Sequence, residues 1–258
     1  MHTSSSSTPL KALTFDLDDT LWDNSGVMEA TEHGHYAWLD KALLEELLPD
    51  NDLTDPLALG RFTERFPLSA YQARRREVAG REPLRRGDFT WVRRQSLLEL
   101  LEQHGLPRQT AEYWAGAAMH RFMTLRHELT PYPEVDAMLA ALSQRYRLGA
   151  ITNGNVELAR LPLARHFDVS IAAGEMLAPK PDPRPFLAAL ARLASRPSEA
   201  LHVGDSWQHD VLPAQRLGMR VAWIDIDGEA PTRLPRQVYR LDHVRELPTL
   251  IEWMNGKN

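Results

Sequence analysis

Four short apolar runs in this 258-residue chain stop abruptly at a polar residue or a turn: residues 11–16 (Lys-Ala-Leu-Thr-Phe-Asp), 147–152 (Arg-Leu-Gly-Ala-Ile-Thr), 200–205 (Ala-Leu-His-Val-Gly-Asp) and 219–225 (Met-Arg-Val-Ala-Trp-Ile-Asp). Runs this brief, bounded by turn formers, predict strands buried on both faces, as in a parallel sheet. Helix-period segments lie between the later runs. Glu134–Gln144 places Val135, Met138, Leu139 and Leu142 on one face, Pro183–Ala194 carries Phe186, Leu187, Leu190 and Leu193, and Asp210–Leu217 stops at Gly218. Strand and helix in alternation predict βαβ units in an open α/β fold, a Rossmann-like doubly wound parallel sheet.

The texture changes between about Asn24 and Thr130, where long helical patterns are separated by Pro and Gly and no strand pattern is found. Residues 26–48, 88–104 and 107–128 are the clearest, with Pro107 suited to a first helical turn. This block reads as an α-helical domain inserted after the first strand, with Pro131-Tyr132-Pro133 as the return hinge. The resulting division is a disordered tail over 1–10, a catalytic core from 11–23 with 131–258, and a helical domain over 24–130.

The runs also end in reactive groups. The first closes with Asp16-Leu17-Asp18-Asp19-Thr20, the second with Thr152-Asn153-Gly154-Asn155, the third with Gly204-Asp205-Ser206. In open α/β sheets ligands bind outside the carboxyl ends of the strands, so this fold gathers Asp16, Thr152 and Asp205 at one edge. Singly, each has an ordinary reading as a turn former or helix cap. Three coincidences at strand ends point instead to a site.

Asp16-x-Asp18-x-Thr20 after an apolar strand resembles the first motif of the haloacid dehalogenase-like hydrolases. Thr152 with Asn153-Gly154 resembles the second motif, Lys180 before Pro181-Asp182 the third, and Gly204-Asp205-Ser206 with Asp210 the fourth. The motifs occur in the family's order, the helical insertion is similar to its C1-type cap, and the resemblance runs from about Lys11 to Trp253. Within the family the core stretches look closest to C1-capped phosphatases acting on flavin mononucleotide, riboflavin-pathway phosphates and similar sugar phosphates. The resemblance implies a magnesium-dependent phosphatase for small phosphorylated metabolites that works through an aspartyl-phosphate.

The implied chemistry explains the residue types. A phosphate monoester is a dianion that repels nucleophiles, so its charge must be screened and the reacting oxygens held in line. By resemblance, Asp16 is the nucleophile and Asp18 the general acid and base. Asp16 and Asp205, with the Asp18 main-chain carbonyl, hold Mg²⁺, a hard cation that prefers oxygen ligands. Thr152, Asn153 and Lys180 bind the phosphoryl group, and Asp210 orients Lys180 or a metal-bound water. Dehalogenating relatives carry no carboxylate at the second Asp position, so Asp18 favours phosphate chemistry. A sugar phosphomutase of the same superfamily, or a catalytically idle binding protein on the same fold, are the alternatives.

Composition narrows the partners. A net charge of −5 argues against nucleic acid, and no apolar run is long enough to span a membrane. The polar first residues contain no signal-peptide core, and the chain has no cysteine, so a soluble cytoplasmic protein is expected. His33 and His35 diverge on a helix and do not chelate together. From Arg74 to Arg94 there are eight arginines against three acids, read as a solvated face or as a local positive field for anionic substrates. Substrate discrimination would come from outside the core motifs, with Trp22, Asn24 and Arg93 as candidates.

Overall fold

The computed structural model describes residues 8–46, 60–174, 176–226, 228 and 233–256. Residues 1–7 of the expected tail, and residues 47–48 at the end of the first expected helix, lie outside them. Leu10, the last residue of that tail, is buried.

The chain divides into two compact units, one of Met1–Asn24 with Thr130–Asn258 and one of Ser25–Leu129. The first holds a six-stranded sheet: β1 (Ala12–Phe15), β2 (Arg147–Thr152), β3 (Val169–Ala172), β4 (Ala200–Gly204), β5 (Arg220–Ile224) and β6 (Val238–Leu241), in the spatial order β3-β2-β1-β4-β5-β6. All five pairings are parallel. The order reverses direction at β1, which pairs with β2 on one side and β4 on the other, and this is where an open α/β sheet opens a ligand crevice.

The strands take this form because both of their faces are covered. Every residue of β1, β4 and β5 is buried, as continuous apolar runs require in a parallel sheet. Val169, Ile171, Phe186, Leu190, Val211, Met219 and Val221 form one cluster within this unit. Each such aliphatic or aromatic side chain contributes about 1.5–3 kcal/mol through burial. β3 and β6 went unrecognised in the sequence. Both are four-residue edge strands whose burial is interrupted, so neither leaves a continuous apolar run.

Asp210–Leu217, expected as one helix, is two pieces: a π-helical turn over Trp207–Val211 and an α-helix over Leu212–Arg216. Gly218 follows with φ +84°, the left-handed conformation that ends a helix. At the point where the chain leaves β1 for the helical block and returns, Tyr132 N donates to Leu21 O at 3.0 Å.

The second unit is α-helical among its described residues, with helices over Ser25–Glu46, Phe62–Arg65, Leu68–Arg81, Phe89–His104 and Arg108–Arg126. Asp88 caps the fourth by accepting from Trp91 N, and Gly105 closes it at φ 117°. Its interior is rich in aromatic groups, with Tyr36, Phe62, Tyr71, Trp114 and Phe122 packed among leucines and alanines.

Candidate active site

The ends of the inner strands bring four distant residues together. Asp16 directly follows β1 and Asp205 directly follows β4, while Lys180 precedes the helix Arg184–Arg192 and Asp210 lies in the π-helical turn. Lys180 Nζ donates to Asp16 Oδ1 and to Asp210 Oδ1, both at 2.6 Å. One carboxylate oxygen from each of Asp16, Asp205 and Asp210 lies within 4.8 Å of the other two.

Three carboxylates around one ammonium leave excess negative charge, and their titration follows their neighbours. Burial holds Asp16 well above the usual carboxylate range, opposed by Lys180 and reinforced by the charges of Asp210 and Asp205. Burial and the Asp210 charge push Asp205 up to about 7. Burial acts on Asp210 too, but Lys180 and His202 outweigh it and hold that carboxyl well below its ordinary value. Asp210 is the better solvated by protein: Oδ1 accepts from Lys180 and faces His202 Nε2 at 3.1 Å, and Oδ2 accepts from Ser206 N at 3.1 Å. Burial opposes the charge on Lys180, yet Asp16 and Asp210 raise its pKa and keep it an ammonium. Closely spaced carboxylate oxygens, two of them crowded enough to resist ionisation, form a donor set that fits a hard divalent cation such as Mg²⁺.

Other motif residues hold this constellation in place. Asn153 clamps the main chain of Lys180, its Oδ1 accepting from Lys180 N at 2.7 Å and its Nδ2 donating to Lys180 O at 2.9 Å. Thr152 is buried, and its Oγ1 accepts from Gly154 N at 2.8 Å, which folds the chain tightly after β2. Asp18 is half-buried and accepts from Trp22 Nε1 at 2.9 Å. Asp19 takes φ 58°, and its Oδ1 accepts from Asn24 N at 2.9 Å, closing the turn that carries Asp18.

The residues singled out for specificity divide. Trp22 is fully buried, with its indole N–H directed to Asp18. Asn24 is half-buried, and its Oδ1 has no hydrogen-bond partner among the described residues. Arg93 lies inside the helical unit, 8% exposed, with Nη2 donating to Glu32 Oε1 at 3.2 Å and its guanidinium 4.7 Å from the Phe122 ring centroid. Much of the surrounding arginine run is likewise engaged within that unit: Arg75 on Glu32, Arg74 and Arg81 on Glu99, and Arg85 over Trp91.

Two contributors to the site went unnoticed in the sequence. His202, fully buried in β4, bonds to Asp210 and to Thr14. Trp223 at the end of β5 donates from Nε1 to Asp205 O at 2.7 Å. A polar ring inside an otherwise apolar run, two residues before Gly204, was the available signal for His202.

Residues 10–218 match the sequence profile of haloacid dehalogenase-like hydrolases. The chain belongs to the haloacid dehalogenase-like hydrolase family. Among curated relatives, this hydrolase is 31% identical over 215 residues to the 5-amino-6-(5-phospho-D-ribitylamino)uracil phosphatase YigB of Escherichia coli, covering 83% of each chain. It is 32% identical over 229 residues to a phosphoserine phosphatase of Thermus thermophilus, covering 84% of this chain and 89% of the relative. Among solved structures, the hydrolase superposes on a 2-haloacid dehalogenase from Pseudomonas syringae with a TM-score of 0.80 and 33% identity, over 95% of this chain and 99% of the other. No described helix is long and apolar enough to cross a membrane.

Proposed function

We propose that this hydrolase is a magnesium-dependent phosphatase that cleaves phosphate monoesters of small metabolites, such as sugar phosphates or flavin mononucleotide, through an aspartyl-phosphate on Asp16. The observation that carries the reading is a second carboxylate, Asp18, two residues beyond Asp16 and fixed by the Trp22 indole. Displacing an alkoxide calls for a proton donor, and displacing a halide does not. Curated relatives named as phosphatases of small phosphorylated compounds point the same way.

In this reading an Asp16 carboxylate oxygen attacks phosphorus as the bond to the leaving oxygen breaks, and Asp18 delivers a proton to that oxygen. Asp18 then takes a proton from water, whose oxygen attacks the phosphorus of the aspartyl-phosphate and releases inorganic phosphate with Asp16 regenerated. Lys180, held on both sides by Asp16 and Asp210, keeps a positive charge where the phosphoryl oxygens gather. Thr152 and the main-chain N–H of Asn153 would complete the phosphoryl seat. Mg²⁺ bound by Asp16, Asp205 and the Asp18 carbonyl would neutralise further negative charge on the transferring group. Trp22, Asn24 and Arg93 remain the candidates for tuning substrate choice, Trp22 through Asp18 and Arg93 through the interior of the helical unit. The cysteine-free sequence fits the reducing cytoplasm.

The deciding experiment measures phosphate release from a panel of phosphorylated metabolites with Mg²⁺, beside Asp16→Asn and beside chloride release from 2-chloropropionate. Phosphate release lost in Asp16→Asn supports the reading. Chloride release without phosphate release would replace it with the dehalogenation named for the similar solved structure. An isomerised phosphosugar in place of free phosphate would mark a mutase.

A further inference from the structure

The site contains a buried imidazole to which the proposed chemistry gives no role. Thr14 and His202 are Cα partners in the β1–β4 register, so their side chains share one face of the sheet. Both are 0% exposed. His202 Nδ1 lies 2.9 Å from Thr14 Oγ1, and Nε2 lies 3.1 Å from Asp210 Oδ1. The Phe186 ring stands at right angles to the imidazole, with centroids 5.0 Å apart and an interplanar angle of 76°.

We propose that His202 is a positioning residue of this hydrolase: seated by Thr14, it fixes the Asp210 carboxylate that aims Lys180 at Asp16. The hydrogen-bond polarity is determined by the groups themselves. An ionised Asp210 only accepts, so His202 Nε2 carries the proton and donates it. In the neutral ring Nδ1 is then an acceptor, and the Thr14 hydroxyl donates to it.

The consequence lies in how Asp210 is held. Its Oδ1 receives both the His202 N–H and the Lys180 ammonium, and its Oδ2 receives Ser206 N–H. Three donors, two from β4 and the turn after it and one from the loop before Arg184, define the carboxylate plane, and Lys180 reads that plane. Removing Nε2–H frees Asp210 to rotate toward Lys180 and draws the ammonium away from Asp16. Because His202 has no exposed surface, it acts through Asp210 and never meets substrate. The effect therefore reaches turnover through Lys180, and touches phosphoryl affinity only through the same ammonium.

The kinetic arm of the test rests on the proposed phosphatase reading, and a spectroscopic arm does not. In ¹⁵N-labelled wild-type protein, the ring nitrogens of His202 should show the neutral Nε2–H form at pH 7, with Thr14→Val shifting the Nδ1 resonance. His202→Leu should lower kcat by about tenfold or more, within the range for partners that orient reacting groups, with any change in KM smaller than the change in kcat. His202→Gln can place an amide N–H where Nε2–H was and should recover most of that loss. An Nδ1–H form, or a Thr14→Val spectrum unchanged at Nδ1, overturns the proposal even if no monoester is ever hydrolysed. Full kcat in folded His202→Leu overturns it as well, as does equal loss in the Leu and Gln variants that tracks their melting temperatures. If wild type releases no phosphate from any monoester, the phosphatase reading fails, and the ring spectra still judge the hydrogen-bond chain.

Discussion

Asp210 fills the space that a side chain on Gly204 would need: a Cβ built on Gly204 would lie 2.5 Å from Asp210 Cγ and 2.8 Å from Oδ2. The glycine at the end of β4 is thus required by a close approach, because the carboxylate that receives Lys180 sits against bare backbone. Gly204→Ala should force Asp210 aside, costing about 1–3 kcal/mol of stability and at least about tenfold in turnover. Urea melts together with kcat measure both effects. Wild-type turnover in the variant would mean that Asp210 can move without consequence for Lys180.

The two carboxylates of the first motif should separate by mutation. Asp16→Asn replaces the proposed nucleophilic oxygen by an amide and should abolish turnover. Asp18→Asn keeps the Trp22 contact within reach but removes the proposed proton donor, and should slow turnover by about 10² or more. The Asp18→Asn deficit should shrink for substrates whose leaving group is a good anion, such as an aryl phosphate. A constant deficit across leaving groups would assign Asp18 a different task.

Metal dependence can be read by binding as well as by rate. Chelator should remove activity and Mg²⁺ restore it, and Mg²⁺ should raise the melting temperature of the wild type. In Asp205→Ala the Mg²⁺ concentration for half-maximal activity should rise by about tenfold or more, equivalent to at least about 1.4 kcal/mol of binding free energy. Unchanged Mg²⁺ titrations in that variant would remove Asp205 from the ligand set.

Much of the candidate site was legible because its polar groups sit where apolar runs stop. Asp16, Thr152 and Asp205 announce themselves as polar residues at strand ends, and Lys180 and Asp210 follow from motif order. His202 was not legible, since a histidine amid Leu201 and Val203 reads as an ordinary core residue until the register places it opposite Thr14. Arg93 illustrates the other limit. Its place in a basic run made it a candidate for substrate contact, whereas its guanidinium is buried against Glu32, 61 residues away, a pairing that local sequence does not encode. The edge strands β3 and β6 escaped because four residues with interrupted burial carry too little pattern.

The helical unit should carry its own acid sensitivity. Burial pulls the His35 pKa from 6.5 down to about 4, the nearby Arg93 and Arg75 guanidinium groups add to this, and the Thr31 carbonyl and Glu32 oppose it. Tyr36, Tyr71 and Phe122 enclose the ring. The unfolded chain takes up a proton on this histidine below about pH 6.5, while the folded chain resists until about pH 4. Stability from this group is therefore present above that window and lost as pH falls through it, a difference of about 3 kcal/mol. Urea melts at pH 7.5 and 4.5 should show wild type losing more stability than His35→Gln. Equal losses would place the acid sensitivity elsewhere.

The hydrogen bond from Tyr132 N to Leu21 O ties the outgoing and returning chain together beside β1. A segment spliced between two points already stitched to each other behaves as a cassette. Its exchange for another segment is expected to leave the path of β1 and the spacing of Asp16 from Asp205 unchanged. A graft that swaps residues 25–129 for the corresponding segment of another hydrolase thus has a natural pair of seams at Asn24 and Thr130. Such a graft would leave the strand-end residues of the first unit on their own scaffold.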